Sequence, residues 1–471
     1  MVRSSGWKLA SDDSRRSHRL SEYAMNIIRF LLLLCLSAPA WAQTANLWID
    51  ANGGTCTRQS TPAAYNDAAA CASMQDAAAA ASNGDAVLIK QGTGYGDQTV
   101  TAAKGSPGVT IKCETATVGA CVFTSISVSG SWLTIQDVTA DVGDSCIGCS
   151  PVGIGGSNLL MKNVVMLGAF QSSSWTGYSD VVWDGGSLWS ASRPSGVYVC
   201  TLLRALPITI FAGTNMTIRN VTFWPMLVDG ATQCGGDPIH AERLRIDGDV
   251  TNLLIERSTF KTGGQENTAM IFLTDSTGQN MSVKFRNNFL GGDVLFGGGN
   301  QGARNTSGSC TGTMQYNSIT GLFIYNGCSS AGITLVGNAG PYQSFAPCVA
   351  GNHVKNIWQW DQATGCGSDT WVNGAQYSTS ALGFDANSGV VSSGSAAVVN
   401  AGEATCAVTA NGQDIRGYAR GSNGACDAGS FEYGASGGGS VPSAPSNFRT
   451  VLRMIEQLIV STLSSIYARY A

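Results

Sequence analysis

Asn215-Met-Thr-Ile-Arg-Asn-Val-Thr-Phe223 and Asn252-Leu-Leu-Ile-Glu-Arg-Ser-Thr-Phe260 are two copies of one pattern. Each opens on asparagine, carries apolar residues at alternate positions, passes through a polar turn and closes on Thr-Phe. Alternation with a period of two is the mark of a strand with one buried face. The same shape recurs in Asn158-Leu-Leu-Met-Lys-Asn-Val-Val-Met166 and Asp180-Val-Val-Trp-Asp184. It recurs again in Leu133-Thr-Ile-Gln-Asp137, Val283-Lys-Phe-Arg-Asn287, Val109-Thr-Ile-Lys-Cys113 and Val87-Leu-Ile-Lys90. The central apolar position falls at Ile89, Ile111, Ile135, Met161, Trp183, Ile218, Ile255 and Phe285. These follow one another at steps of roughly 20 to 40 residues, the range of solenoid repeats.

One strand per repeat cannot bury its apolar face alone, whereas stacked coils can. The pattern predicts an all-β chain, and from Asn46 to Trp371 it resembles the right-handed parallel β-helix family, pectate-lyase-like in its repeats. The opening block, Leu47-Trp-Ile-Asp50 followed by the alanine-rich stretch 62–82 and Asn83-Gly84, resembles the start of secreted bacterial β-helices. There a helix covers the open end of the core. The expected fold is therefore a right-handed parallel β-helix solenoid with an N-terminal capping helix.

Ser393-Gly-Ser-Ala-Ala-Val-Val-Asn-Ala-Gly402, Asp414-Ile-Arg-Gly417 and Gly424-Ala-Cys-Asp-Ala-Gly-Ser-Phe-Glu-Tyr433 resemble the choice-of-anchor Q terminal module. Ser430 departs from the alanine often found there. The resemblance implies a module placed between a β-helix and an attachment segment of the cell envelope. The expected division is 1–42 upstream extension and signal peptide, 43–377 β-helix, 378–434 terminal module, and 435–471 flexible linker and tail. Val441 to Phe448 looks like the start of a fibronectin type III domain that does not continue, so the tail reads as truncated or frameshifted. An amphipathic helix is the other reading.

Composition agrees with a turn-rich β protein. Glycine numbers 59 of 471 residues, charged residues make up 12%, and the hydrophobic share is 44%. Low charge with ample apolar residues excludes disorder over most of the chain. Net charge is −4, which excludes the strong positive field that duplex nucleic acid requires.

Met25 to Arg29, the apolar run Phe30–Leu36 and Ala40-Trp-Ala42 have the form of a secretory signal peptide, with residues 1–24 upstream of it. The apolar run is too short to span a bilayer. Of 15 cysteines only Cys35 lies in the signal, which leaves an even number for an oxidising compartment. Pairing of sequence neighbours would join Cys56–Cys71, Cys113–Cys121, Cys146–Cys149, Cys200–Cys234, Cys310–Cys328, Cys348–Cys366 and Cys406–Cys426. Other connectivities stay open. Cys146-Ile-Gly-Cys149 has no second pair at finger spacing, so no metal site and no cofactor are expected.

The position after the central apolar residue points outward and reads Lys90, Lys112, Gln136, Lys162, Asp184, Arg219, Glu256, Arg286. Stacked, such a column could bind an acidic polysaccharide through repeated carboxylate contacts. Its bland reading is a solvated face on which Asp184 and Glu256 relieve repulsion. The following column, Asp137, Asn163, Gly185, Asn220, Arg257 and Asn287, suits a left-handed turn. His240 and Glu242 form the densest polar cluster with Asp237. The candidate ligand contacts are Lys162, Arg219, Arg286, His240 and Glu242. Aromatic groups at Trp175, Tyr178, Trp183, Trp189 and Tyr198, and at Trp358, Trp360 and Trp371, would either stack on sugars or fill the core.

Three functions fit: a secreted or surface-attached monomer that binds carbohydrate, a polysaccharide lyase acting on uronic-acid polymers, and an adhesin stalk. Pectin-hydrolase signatures, nucleotide-binding loops and the Gly-x-Ser-x-Gly elbow are absent from the sequence. Catalytic residues are unassigned at this level.

Overall fold

The computed structural model describes residues 43–143, 150–167, 173–188, 208–224, 243–262 (247 apart), 271–273, 280–296, 310–325, 331–344, 350–359, 367–372, 379–402 (395 apart), 412–421 and 425–434. Among them every strand-to-strand pairing is parallel and joins one coil to the next. Among the described residues antiparallel bridges occur only at Ala45–Ala63, Phe384–Val391 and Gln413–Ala419, outside the stacked coils. The chain is a parallel β-helix. No described helix is long and apolar enough to cross a membrane.

Three ladders run along it. Face one holds strands such as Val109–Cys113, Ser131–Gln136, Gly213–Arg219, Val250–Glu256 and Met281–Arg286. Face two holds short strands such as Thr222–Phe223, Thr259–Phe260 and Phe289–Leu290. Face three holds Ser125–Val128, Ile208–Ile210 and Leu244–Ile246.

The inward column of face one is Leu47, Val87, Ile111, Ile135, Met161, Trp183, Ile218, Ile255, Phe285, Met314, Leu335 and finally His353. One expected member is corrected: Ile111 stands over Val87, and Ile89 stands under Cys113. Both inward choices are buried, so alternation alone could not choose between them. Face two contributes stacked Phe223 and Phe260, with ring centroids 3.9 Å apart. The aromatic groups belong to the core. Trp175 and Trp183 stack at 5.1 Å, Tyr342 stacks on Trp358 at 4.8 Å, and all four are buried. Trp189, Tyr198 and Trp360 lie outside the described residues.

After face one the chain turns through a left-handed residue in coil after coil: Asp137, Asn163, Gly185, Asn220, Arg257, Asn287, Tyr316, Gly337 and Lys355 all have positive φ. Asparagine, aspartate and glycine tolerate this conformation best. The next residue points inward and builds an amide ladder. Asn288, Asn317 and Asn338 each donate Nδ2 to the Oδ1 of the next member, at 2.9–3.0 Å, and Asn356 donates to the Asp369 carboxylate at 2.8 Å. The same Oδ1 atoms accept backbone N–H groups, so the ladder satisfies main-chain polar groups that the turn would leave buried. Asp369 ends it, accepting also from Trp358 Nε1 at 2.7 Å and lying 2.8 Å from His353 Nδ1.

The alanine-rich helix is shorter than the stretch that suggests it. It spans Met74–Ala80, with Ser73 accepting from the Asp76 N–H, and it buries Met74, Ala77 and Ala78 in the core. Upstream, Asp67–Ala69 is one turn of 3-10 helix, and Cys71 bridges to Ile49 and hydrogen-bonds to Trp48 and Asp50, which holds Ala70 and Cys71 extended. Disulfides Cys56–Cys71 and Cys113–Cys121 are formed, and Cys426 is disulfide-bonded too. Cys146, Cys149, Cys200, Cys234, Cys328, Cys348, Cys366 and Cys406 lie outside the described residues.

The C-terminal segment folds back on the side of the coils. The outward column of face two is polar at Ser187, Thr222 and Thr259, then becomes Phe289, Ser318, Ala339 and Ile357. Phe289, Ala339 and Ile357 pack there against Leu382, Phe384, Val391, Val398, Ala428 and Phe431.

Candidate ligand-binding face

Stacking places outward side chains of successive coils about 4.8 Å apart. On face one the column next to the turn is Leu88, Lys112, Gln136, Lys162, Asp184, Arg219, Glu256, Arg286 and Gln315. Lys90 is thus corrected out of it: Leu88 holds the position, and Lys90 pairs with Glu114 at 3.2 Å. The displacement follows from the Val87 register two residues earlier.

Register brings Lys162, Arg219 and Arg286 onto one face, as expected. It also pairs the arginines with their neighbours. Arg219 Nη2 donates to Asp184 Oδ2 at 2.8 Å, and Arg286 Nη2 donates to Glu256 Oε2 at 2.6 Å. Asp184 Oδ1 accepts from Asn220 Nδ2 at 2.6 Å, and Arg257 Nη2 lies 3.8 Å from Glu256 Oε1. Each of these two carboxylates thus takes one hydrogen bond from the guanidinium of the next coil. A guanidinium that gives one N–H to a carboxylate retains further donors for another.

Lys162 is exposed and has no ion-pair partner among the described residues. The same is true of Lys284, in the next outward column, where Leu254 and Thr313 are its register neighbours. From the sequence Arg257 reads only as a turn residue, and Lys284 is not among the candidate contacts. The signal for Lys284 was its place two residues before Arg286, since period two puts both on one side of the sheet. Apart from Asp180, which is exposed and accepts from Asn215 Nδ2 at 2.9 Å, the rest of the face is uncharged. Its middle column runs Thr134, Leu160, Val182, Thr217 and Leu254, and beyond it lie hydroxyls at Ser131, Ser157, Ser179, Thr214 and Thr251. His240 and Glu242 lie outside the described residues, so their place relative to this face is not part of the geometry. Among the described residues no group of His, Cys, Asp and Glu is arranged to hold a metal ion.

No protein-family profile matches the chain, and no curated protein matches it. Solved structures similar to it include an alginate lyase from Paenibacillus sp. str. FPU-7, at 13% identity and TM-score 0.36 over 58% of this chain and 92% of that one. A mannuronic acid specific polysaccharide family 6 lyase from human gut microbiota is similar at 14% identity and TM-score 0.36, over 60% of this chain and 83% of that one. A family 6 polysaccharide lyase from Pseudopedobacter saltans is similar at 13% identity and TM-score 0.35, over 64% of this chain and 89% of that one.

Proposed function

We propose that this protein is an exported β-helix that holds an acidic polysaccharide along face one, between Lys162 and Arg286. The observation that carries the reading is the charge of that stretch. Lys162, Arg219, Arg257, Lys284 and Arg286 outnumber the three carboxylates of that stretch, Asp180, Asp184 and Glu256. The local sign is opposite to the chain's net charge of −4. A polymer with carboxylates at regular intervals meets cations at multiples of the coil spacing, with hydroxyls of Thr217 and Thr214 beside them for sugar oxygens. Disulfides Cys56–Cys71 and Cys113–Cys121 support a location outside the reducing cytoplasm. The resemblance of residues 378–434 to an attachment module adds envelope attachment to the proposal.

The test is affinity electrophoresis of the full chain in gels containing polymannuronate, polygalacturonate or neutral dextran. Retardation by a polyuronate at roughly 0.01 M ionic strength, largely lost at about 0.5 M, is expected, because screening shortens the reach of exposed charges. The combined change Arg219→Ala and Arg286→Ala should remove it. A parent that migrates equally in all gels, or a double variant that binds like the parent, overturns the proposal. Rising ultraviolet absorbance during incubation would add bond cleavage, the lyase reading, to binding.

A further inference from the structure

The residues that resemble the terminal module are engaged with one another and with the coils. Asp414 accepts from the Arg416 side chain at 2.6 and 2.8 Å and from the backbone N–H groups of Arg416, Tyr418 and Glu432. Glu432 accepts from the N–H groups of Gly421 at 2.7 Å and Asp427 at 3.1 Å. Arg420 is wholly buried among them, with Nη1 3.6 Å from Glu432 Oε2. Its Nη2 donates at 2.9 Å to Asn287 Oδ1 in the β-helix turn column, and its guanidinium lies 4.7 Å above the Tyr316 ring. Three more bonds join the segment to the same turns: Asn287 Nδ2 to Gln413 O at 2.9 Å, Gly429 N to Gly337 O at 2.7 Å, and Ser430 N to Ser318 Oγ at 2.9 Å. Gly389 approaches so closely that a Cβ there would fall 2.5 Å from the Phe289 ring.

We propose that residues 379–434 act as an intramolecular clasp: a docking surface whose partner is the left-handed turn column and outward face two of the coils from Asn287 to Ile357. Three features argue for a built interface. Outward positions that are Ser187, Thr222 and Thr259 in the three preceding coils become Phe289 and Ile357 where the segment lies. A buried cation crosses the boundary and is satisfied from both sides, and a buried charge is retained only where it is paired and hydrogen-bonded. The turn column itself changes to accept it: Tyr316 offers a ring to the guanidinium, and Gly337 offers a carbonyl to Gly429. Arg420 is thus the key of the clasp, and the last coils depend on it. A chain leaving at Gly434 is thereby carried by the side of the β-helix rather than by its terminal strand.

Hydrogen exchange with mass spectrometry on the full chain tests this. The variant Arg420→Met removes the key. The double variant Phe289→Thr with Ile357→Thr restores the residue type of the upstream column, which this β-helix accommodates at Thr222 and Thr259. In both, protection should fall about tenfold or more in 379–434 and also in 310–359, and stay at the parent level in 109–136. If 379–434 keeps its protection in the double variant, the segment is a self-standing unit. If 310–359 keeps its protection while 379–434 loses it, the coils do not need a clasp. Either result overturns the proposal.

Discussion

Asn317→Ala should cost far more than its size suggests, because Asn317 is a middle rung of a fully buried ladder. Its Oδ1 accepts from Asn288 N and Asn288 Nδ2, both at 3.0 Å; its Nδ2 donates to Phe285 O at 3.0 Å and Asn338 Oδ1 at 2.9 Å. Three of these partners keep another bond when the side chain is lost: Asn288 Nδ2 still donates to Ile255 O, Asn338 Oδ1 still accepts from Asn317 N, and Phe285 O keeps the ladder bond that its parallel pairing with Cys310–Gln315 supplies. Asn288 N is the group left without a partner. At about 1–3 kcal/mol for a buried group left unsatisfied, the loss is about 1–3 kcal/mol. Asn252→Gly supplies the contrast. Asn252 also belongs to an amide ladder, donating to Asn215 Oδ1 at 3.1 Å, but it is exposed and left-handed, with φ of 56°. Water replaces its bond and glycine adopts its backbone, so the change should stay within about 0.5 kcal/mol. Equilibrium unfolding in guanidinium chloride, followed by far-ultraviolet circular dichroism, measures both. A loss below about 1 kcal/mol for Asn317→Ala, or a greater loss for Asn252→Gly, refutes the reasoning.

Ile218→Asp buries an unpaired charge in the inward column and should cost at least about 3 kcal/mol, read as a large fall in unfolding midpoint or as loss of soluble protein. Acid should act unevenly along the rod. The hydrogen bonds from Arg58 hold the Asp85 carboxyl below its usual range, so the stability that this pair adds is present above the unfolded pKa, near 4, and disappears as pH falls through the depressed folded value. Burial instead raises Asp427 and Glu432, so their contribution is greatest below about pH 4 and is lost as pH rises through the raised folded values. Protection factors corrected for intrinsic exchange should therefore fall near 58–85 before 412–434 as pH drops toward 3, and the opposite order would show that other groups dominate. Thiol counting on denatured, unreduced mature protein should find no free cysteine, and two or more would break the local pairing beyond Cys56–Cys71 and Cys113–Cys121.

How much could be read beforehand follows from the range of each interaction. Alternation within Asn215–Phe223 and its relatives determined which side chains enter the core, because period two is a property of one strand. It also placed Asn163, Asn220 and Asn287 in left-handed turns, a preference written in the residue itself. The stagger between coils was not local. Val87 and Ile89 satisfy the pattern equally, and pairing over 24 residues with Ile111 chose Val87 and moved Lys90 off the charged column. The outward cations were legible as Lys162, Arg219 and Arg286, but whether Asp184 and Glu256 would clasp or merely accompany them depended on distances between side chains 30 to 35 residues apart.

The inner ladder left a faint trace, asparagine after the turn residue at 288, 317, 338 and 356, whose meaning required the turn to point it inward. The docking of the C-terminal segment was the least visible. Phe289 and Ile357 in an outward column were its only trace, and Asn287 meets Gln413 and Arg420 across 126 and 133 residues of chain. The sequence by itself determined what each strand buries and where each coil turns, since those are decided by neighbours in the chain. Only the tertiary structure decided the stagger of coils, the pairing of charges and the partner of the last segment, because these contacts arise after the coils have stacked.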